Sequence, residues 1–490
     1  MDKSLASLLI VVVYLFVMLG VTIGNSKKRK ASADTQSFFL ANRGVGGLLM
    51  ALTMIAGMQS TFAFLGGPGM YYTHGISYIV IVLSQVWVAF MVIYFGNKIR
   101  KQAKKYGYMS IGDYFQDRFK SGYLKILASS LSVLMTLIFL SMQYVGNATA
   151  LSVITGDLLD YKVALLISVI FSLLYVMIGG AGGVVLLDAF QAIILMVGIV
   201  VAAIIAVMPF GGVAELFEAT RNTAPELLSR PGAQGTYTNA YWFMQFIVLP
   251  FGIWLCPYIW SKSLMAKDTS SLAKSAISIP VSQVLIFGFS ALFIGLAGHN
   301  LLGTVERADQ VLPIMMTQNT SWVVAALVMA AAISAGMSTI NAMLLSCAQL
   351  VSQDLIFFNK KDKISNETNM RVSRIIIIVI AIIASIVAIT PPKALVQVVQ
   401  DVAYTGLAQL APPFILGLYW KYASKEGAAL GLTAGVLVLF AFRLMEIAPL
   451  NIPGFLWAFV INILINIFVS LARKDKINIE EVEEKFFEKA

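Results

Sequence analysis

Residues 45–69 read VGGLLMALTMIAGMQSTFAFLGGPG, an apolar run without a single charge that carries Gly57, Gly66, Gly67, Pro68 and Gly69 inside it. A run of this length and polarity suits a helix crossing about 30 Å of hydrocarbon. Glycine and proline within it predict a helix interrupted inside the bilayer. Backbone groups freed at such a break must be satisfied by protein, water or an ion, because lipid offers no partner. The rest of the chain repeats the apolar pattern. Of its 490 residues 59% are hydrophobic and 12% charged, and no hydrophilic stretch is long enough for a folded soluble domain.

About 13 spans are expected, with approximate limits 5–23, 45–68, 76–96, 124–151, 162–178, 184–208, 240–262, 276–298, 321–350, 373–390, 394–419, 427–445 and 454–472. The first, from Leu5 to Val21, has neither a strongly basic leader nor a small-residue cleavage pattern and is read as a helix. The chain is thus expected to be an all-α integral membrane protein, with one transmembrane domain over 1–472 and a short tail over 473–490.

The formal charge of +10 belongs to the membrane rather than to nucleic acid, because Lys and Arg gather in alternate connections. One side holds only Lys3, Lys162, Arg221, Arg230, Arg307, Lys393 and Arg443 of the 35. The other 28 include Lys27, Lys28, Arg29, Lys30, the cluster from Lys98 to Lys125, and Lys360, Lys361 and Lys363. The bias places the N-terminus outside and the C-terminus in the cytoplasm, as in a multi-pass protein of the cell's inner membrane.

With the first span set aside as peripheral, spans two to six (about 45–208) and seven to eleven (about 240–419) form two groups of five. An odd number inserts them in opposite orientations, which is an inverted repeat; 5–23, 427–445 and 454–472 are peripheral. Span seven carries Pro250, Gly252 and Pro257 where span two carries its glycines. Interruptions at corresponding places in two inverted halves mark a midplane transport site.

Freed carbonyls suit a hard cation such as sodium, which takes oxygen ligands. Hydroxyls to complete the set stand in Ala335-Gly-Met-Ser338-Thr339-Ile-Asn341, where Ala335, Ser338 and Thr339 share one helix face. Such hydroxyls also serve helix packing in membranes. Asp188 follows the cluster Gly179, Gly180, Gly182 and Gly183, and a carboxylate within a span should face protein, water or an ion. Asp401 is a second such carboxylate, nearer a helix end. Polar and aromatic residues beside the breaks are candidate solute contacts: Gln59, Ser60, Thr61, Tyr72, Gln143, Asn147, Trp254, Tyr258, Tyr404 and Gln409.

Several of these stretches resemble the solute:sodium symporter family over about residues 40–472. Tyr175-Val-Met-Ile-Gly179-Gly180 is similar to one family signature, and Gly417-Leu-Tyr-Trp420 through Ala423 to Gly427-Ala428, Gly431 and Gly435 to another. Ala181, Gly183 and Tyr422 depart from those patterns. Gly66-Gly-Pro-Gly69, Met337-Ser338-Thr339-Ile-Asn341-Ala342 and Pro257 with Lys262 and Ala266 strengthen the likeness. The resemblance implies a LeuT-like five-plus-five core and sodium-driven uptake. It gives backbone carbonyls of Ala56, Gln59 and Ala335 and the hydroxyls of Ser338 and Thr339 to sodium, and links Asp188 to sodium handling. Lys262 stands where many members have Arg, and Cys256 where several have Gln. GGPGMYYTHG, MSTINAMLL and Pro391-Pro392 look most like the bacterial pantothenate and monocarboxylate branch, which implies a small organic acid as solute. With no Lys or Arg expected at midplane, the positive end of a half-helix would meet its carboxylate.

The readings left open are a proton-coupled carrier using Asp188 or Asp401, and a sodium symporter for proline, another amino acid, a sugar or sialic acid. A channel or sensor is a further class, though the residues after the last span are too few for a kinase domain. An enzyme is disfavoured: His74 and His299 form no HExxH pair, with Cys256 and Cys347 they cannot make a zinc cluster, and no phosphate loop or nucleophile elbow is present. The expected partners are a small solute, sodium and the bilayer, with no nucleic acid, and one copy of the chain is expected to suffice.

Overall fold

Gly180 sets the course of the longest helical stretch, Tyr161–Val207, because its φ of 51° and ψ of −166° lie outside the helical region. Tyr175, before it, donates a hydrogen bond to the carbonyl of Leu15 at 2.8 Å, and Gln191, after it, donates to the hydroxyl of Tyr14 at 3.2 Å. Sixteen residues of straight helix would carry those side chains about 24 Å apart. Their partners are neighbours in the first helix, Lys3–Lys28, so the chain turns at Gly180, a conformation only glycine adopts readily.

The computed structural model describes residues 3–28, 35–156, 158–358, 364–392, 395–474 and 477–487, with the side chains of 25–28 and 395 left aside. Among them no strand occurs, and nine helices are long and apolar enough to cross a membrane, or ten if the bent pair Asn239–Trp254 and Pro257–Met265 is one span. That is fewer than the thirteen separate spans expected, for three physical reasons. Phe62–Tyr106 runs through expected spans two and three, and Tyr161–Phe210 through five and six. The segment around expected span eleven is chopped into Leu395–Val398, Val399–Tyr404, Thr405–Ala408 and Ala411–Tyr419. Arg29, Lys30, Lys360, Lys361, Lys363 and Lys393, used to orient the chain, lie outside the described residues, as do the side chains of Lys27 and Lys28.

The first interruption falls just after Gly57 and not at Gly66 to Gly69. Gly66 to Gly69 stay helical, within Phe62–Gly66 and Gly67–His74, and the chain keeps right-handed helical dihedrals through the junction at Gly66 and Gly67. Those glycines serve close packing: a Cβ on Gly66 would lie 2.3 Å from Val396 Cγ2, and one on Gly69 2.5 Å from the Ala308 carbonyl. The helix Gly47–Met58 ends instead at Gln59, with φ −100° and ψ 103°. In span seven the break falls at Leu255 and Cys256, just before Pro257, with a bend of 59°. Pro250 is absorbed in the first turn of Leu249–Trp254. The two broken spans are stitched at one end, where the Val45 amide bonds the Met265 carbonyl at 3.0 Å and the Lys267 amide the Val45 carbonyl at 2.9 Å.

Trp322–Gln349 is the central helix. Ser321 caps it by accepting from the Val324 amide, and from Val328 to Gln349 every residue is buried. A helix apolar around its whole circumference and made of Ala, Gly and Ser suits such a position, since small residues let neighbours approach closely. At the other edge Lys425–Leu444 and Gly454–Ala472 pack through Gly427, Gly431 and Gly435 against Ser470, Asn466 and Asn462. This glycine pattern is therefore a packing stripe. Gly431→Leu is expected to destabilise the protein by about 1–3 kcal/mol through overpacking, read as a lower melting temperature in detergent. The tail also docks: Lys485 pairs with Asp117 at 2.5 Å, Lys421 with Glu483 at 2.6 Å, and Phe486 is buried.

Candidate functional site

The break at Gln59 frees carbonyls beside the central helix. The Ala63 amide, four residues on, bonds the Ser60 carbonyl at 2.8 Å, so Gln59's carbonyl is left out of the helical ladder. Ser338 Oγ lies 2.9 Å from the Ala56 carbonyl and 2.9 Å from the Ala335 carbonyl, and Thr339 Oγ1 lies 3.2 Å from the latter. Ala56, Ala335, Ser338 and Thr339 are fully buried. A serine hydroxyl has one proton and cannot donate to two carbonyls at once. Ser338 can thus donate to Ala56 while Thr339 donates to Ala335, and the same two carbonyl and two hydroxyl oxygens are of the kinds a small hard cation takes. The structure brings together Ala56, Ala335, Ser338 and Thr339 as expected, with Gln59 at the end of the same helix.

Asp188 stands against Thr53, one turn before Ala56 on that helix, and its carboxylate is already engaged. Oδ2 accepts from Thr53 Oγ1 at 2.6 Å and from Lys262 Nζ at 2.9 Å, while Nζ also donates to the Thr53 carbonyl at 2.5 Å. Both charged side chains are buried, at 0% and 2% exposure. This overturns the expectation that no basic residue stands in the core. Gly57 leaves the space: a Cβ there would lie 2.4 Å from Lys262 Nζ. Gly57→Ala is expected to push the ammonium off Thr53 and lower the melting temperature, by about 1–3 kcal/mol of stability.

Beyond the break a second group of buried side chains converges. Thr61 donates through its amide and hydroxyl to Gln143 Oε1, at 3.0 and 2.8 Å, and Ser60 Oγ accepts from the Phe62 amide at 3.2 Å. Asn147, one turn from Gln143, abuts Gly336 of the central helix, and neither atom of its amide has a partner among the described residues. Tyr404 stacks edge-on against Phe139 at 5.3 Å and Phe62 at 6.5 Å, and its hydroxyl is hydrogen-bonded to Tyr258, just past the second break. Phe62 and Phe139 were missed by the sequence reading, being indistinguishable there from lipid-facing Phe.

Three candidates lie elsewhere. Tyr72, near the end of Gly67–His74, bonds the carbonyl of Gly303 in the loop after Leu292–Leu302 and packs on His299, away from the break. Trp254 is buried among Phe95, Trp260 and Phe414. Gln409 faces the peripheral helices, accepting from Asn462 Nδ2 at its carbonyl, 2.8 Å, and side chain, 3.2 Å. Asp401 is held by Tyr241 at 3.1 Å, with Arg443 3.9 Å away, beside a cavity of about 520 Å³ rather than with the carbonyl–hydroxyl cluster.

Known proteins share this architecture. A Na⁺-coupled sialic acid symporter, solved in a substrate-bound outward-open state, superposes with a TM-score of 0.79 at 20% identity over 98% of each chain. A nucleobase-cation-symport-1 family transporter in a closed conformation gives 0.60 at 14% identity, over 92% of this chain and 96% of that one. In sequence, the sodium/pantothenate symporter of Escherichia coli is 28% identical over 92% of each chain. The osmoregulated proline transporter of Bacillus subtilis is 24% identical over 94% of this chain and 95% of its own. The model of the sodium:solute symporter family matches residues 38–435, with both helix breaks and the central helix inside the match, and this chain belongs to that family of sodium-coupled membrane transporters.

Proposed function

We propose that the chain carries a small organic acid, such as pantothenate or another monocarboxylate, into the cell with sodium by alternating access. The observation that carries the ion assignment is the cluster at a helix break in which Ser338 Oγ lies 2.9 Å from both the Ala56 and Ala335 carbonyls and Thr339 Oγ1 3.2 Å from that of Ala335. Sodium there would join the broken helix to the central helix, and Gln59's freed carbonyl would complete the set. The solute would lie on the far side of the break, among Ser60, Thr61, Gln143, Asn147, Tyr258 and Tyr404, with Phe62 and Phe139 against its apolar part. Thr61's amide and hydroxyl now meet the oxygen of Gln143, an acceptor that a carboxylate would replace at the positive end of the restarting half-helix. The pantothenate symporter relatives support an acid as solute.

The core repeats are placed at about 45–208 and 240–419, with the N-terminus outside and the C-terminus in the cytoplasm, supported by the basic bias of alternate connections. At a potential of 100 mV one inward positive charge supplies about 2.3 kcal/mol, enough for about fifty-fold accumulation before the sodium gradient is added.

Uptake of labelled pantothenate, lactate, proline and sialic acid into proteoliposomes tests this. Accumulation of an acid that needs an inward sodium gradient is expected. Accumulation driven fully by a pH gradient without sodium, or of proline or sialic acid alone, contradicts the reading. Within the solute site, Thr61→Val is expected to raise KM about tenfold or more, the loss of one hydrogen-bond donor to a charged group, while leaving sodium binding in place.

A further inference from the structure

We propose that Lys262 is a built-in cation: its ammonium occupies the position at Asp188 that a metal ion would otherwise take, so the chain binds no sodium there. The inference rests on the sodium assignment above and fixes how many ions accompany the solute.

The oxygens around the ammonium are of the kinds a hard cation selects. Asp188 Oδ2 supplies a carboxylate at 2.9 Å and Thr53 a carbonyl at 2.5 Å, while the Thr53 hydroxyl donates to the same carboxylate oxygen at 2.6 Å. Beside them is a small space of about 20 Å³ lined by Asp188, Lys262, Ser261 and Ser346, enough for one water or one bare ion and too small for a hydrated one.

Charge decides between the two occupants. With Lys262 in place the buried set is neutral, and adding sodium would leave two positive charges facing one carboxylate in a low-dielectric core. The ammonium is tethered and cannot diffuse away when sodium competes. Gly57 is part of the fit, because any larger residue there would collide with Nζ. The pair also clamps the first broken helix at Thr53, one turn before Ala56, which places the fixed cation and the mobile one on successive turns of one helix.

Equilibrium binding of sodium-22 to the purified full-length protein tests this. The unaltered protein is expected to bind one ion, Lys262→Arg one, Lys262→Met two, and Lys262→Met with Asp188→Asn one again. A Lys262→Met protein that binds no more sodium than the unaltered one overturns the proposal, and so does an unaltered protein that binds two. Should Lys262→Met not fold, Ser338→Ala with Thr339→Ala answers alone: it is expected to bind none, and one retained ion would place sodium at Asp188 and overturn the proposal. If the unaltered protein binds none and Lys262→Met binds one, the sodium assignment at Ser338 fails and the built-in cation stands.

Discussion

Ser338→Ala with Thr339→Ala is expected to weaken sodium binding by a factor of about 10² to 10⁴ and to abolish sodium-driven accumulation of the solute. Each hydroxyl contributes an oxygen to a buried charge, worth about 1.5–3 kcal/mol, and the pair together about 3–6 kcal/mol. Alanine preserves the central helix, since it is the best helix former and, among the described residues, the Ser338 and Thr339 side chains bond only the Ala56 and Ala335 carbonyls. Stability without sodium should fall only by the about 1–3 kcal/mol that an unfilled buried carbonyl costs, while the rise in melting temperature produced by sodium disappears. Sodium titration of the melting temperature and solute uptake in proteoliposomes read the two effects. Unchanged sodium-dependent uptake in the double variant would remove these residues from the ion site.

Asp188→Leu is expected to be far more damaging to folding than to any single contact, costing about 3–5 kcal/mol, because it strands the Lys262 ammonium in a buried site. The companion variant decides whether charge is the cause. Asp188→Leu with Lys262→Met removes both charges and should recover most of the lost stability, since a buried ion pair and an apolar pair of similar volume are often nearly equal. The result that would contradict this is a single variant as stable as the unaltered protein. Melting temperature and the fraction of monodisperse protein after detergent extraction measure it. The double variant also separates folding from transport, because it lacks the clamp at Thr53 while keeping the carbonyl–hydroxyl cluster.

The membrane architecture was legible because bilayer thickness writes itself into sequence as apolar runs, and the hydroxyls of the central helix were legible because Ala335, Ser338 and Thr339 recur at helical spacing. The place of the first break was not. Glycine and proline at 66–69 are the strongest local breakers, yet the helix runs on through Pro68 and the glycines lie against Val396 and Ala308, so packing outweighs intrinsic preference. Gln59 and Ser60 carry no breaker signature at all. Asp188 was found as a carboxylate inside a span, but its partner was hidden, since Lys262 sits 74 residues away near the end of an apolar run and reads as a loop charge. Gln409 and Tyr72 show the converse. Their polarity near the expected breaks made them candidates, and only the three-dimensional placement assigns Gln409 to Asn462 and Tyr72 to the loop at Gly303.

The cluster at the first break is most directly tested by a high-resolution structure of the protein determined in sodium and compared with one in choline. The expected result is a single ion within ordinary metal–oxygen distance of the Ala56 and Ala335 carbonyls and the Ser338 and Thr339 hydroxyls, lost in choline, with Lys262 still on Asp188. Sodium density at Asp188 with Lys262 displaced, and none beside Ser338, would contradict it.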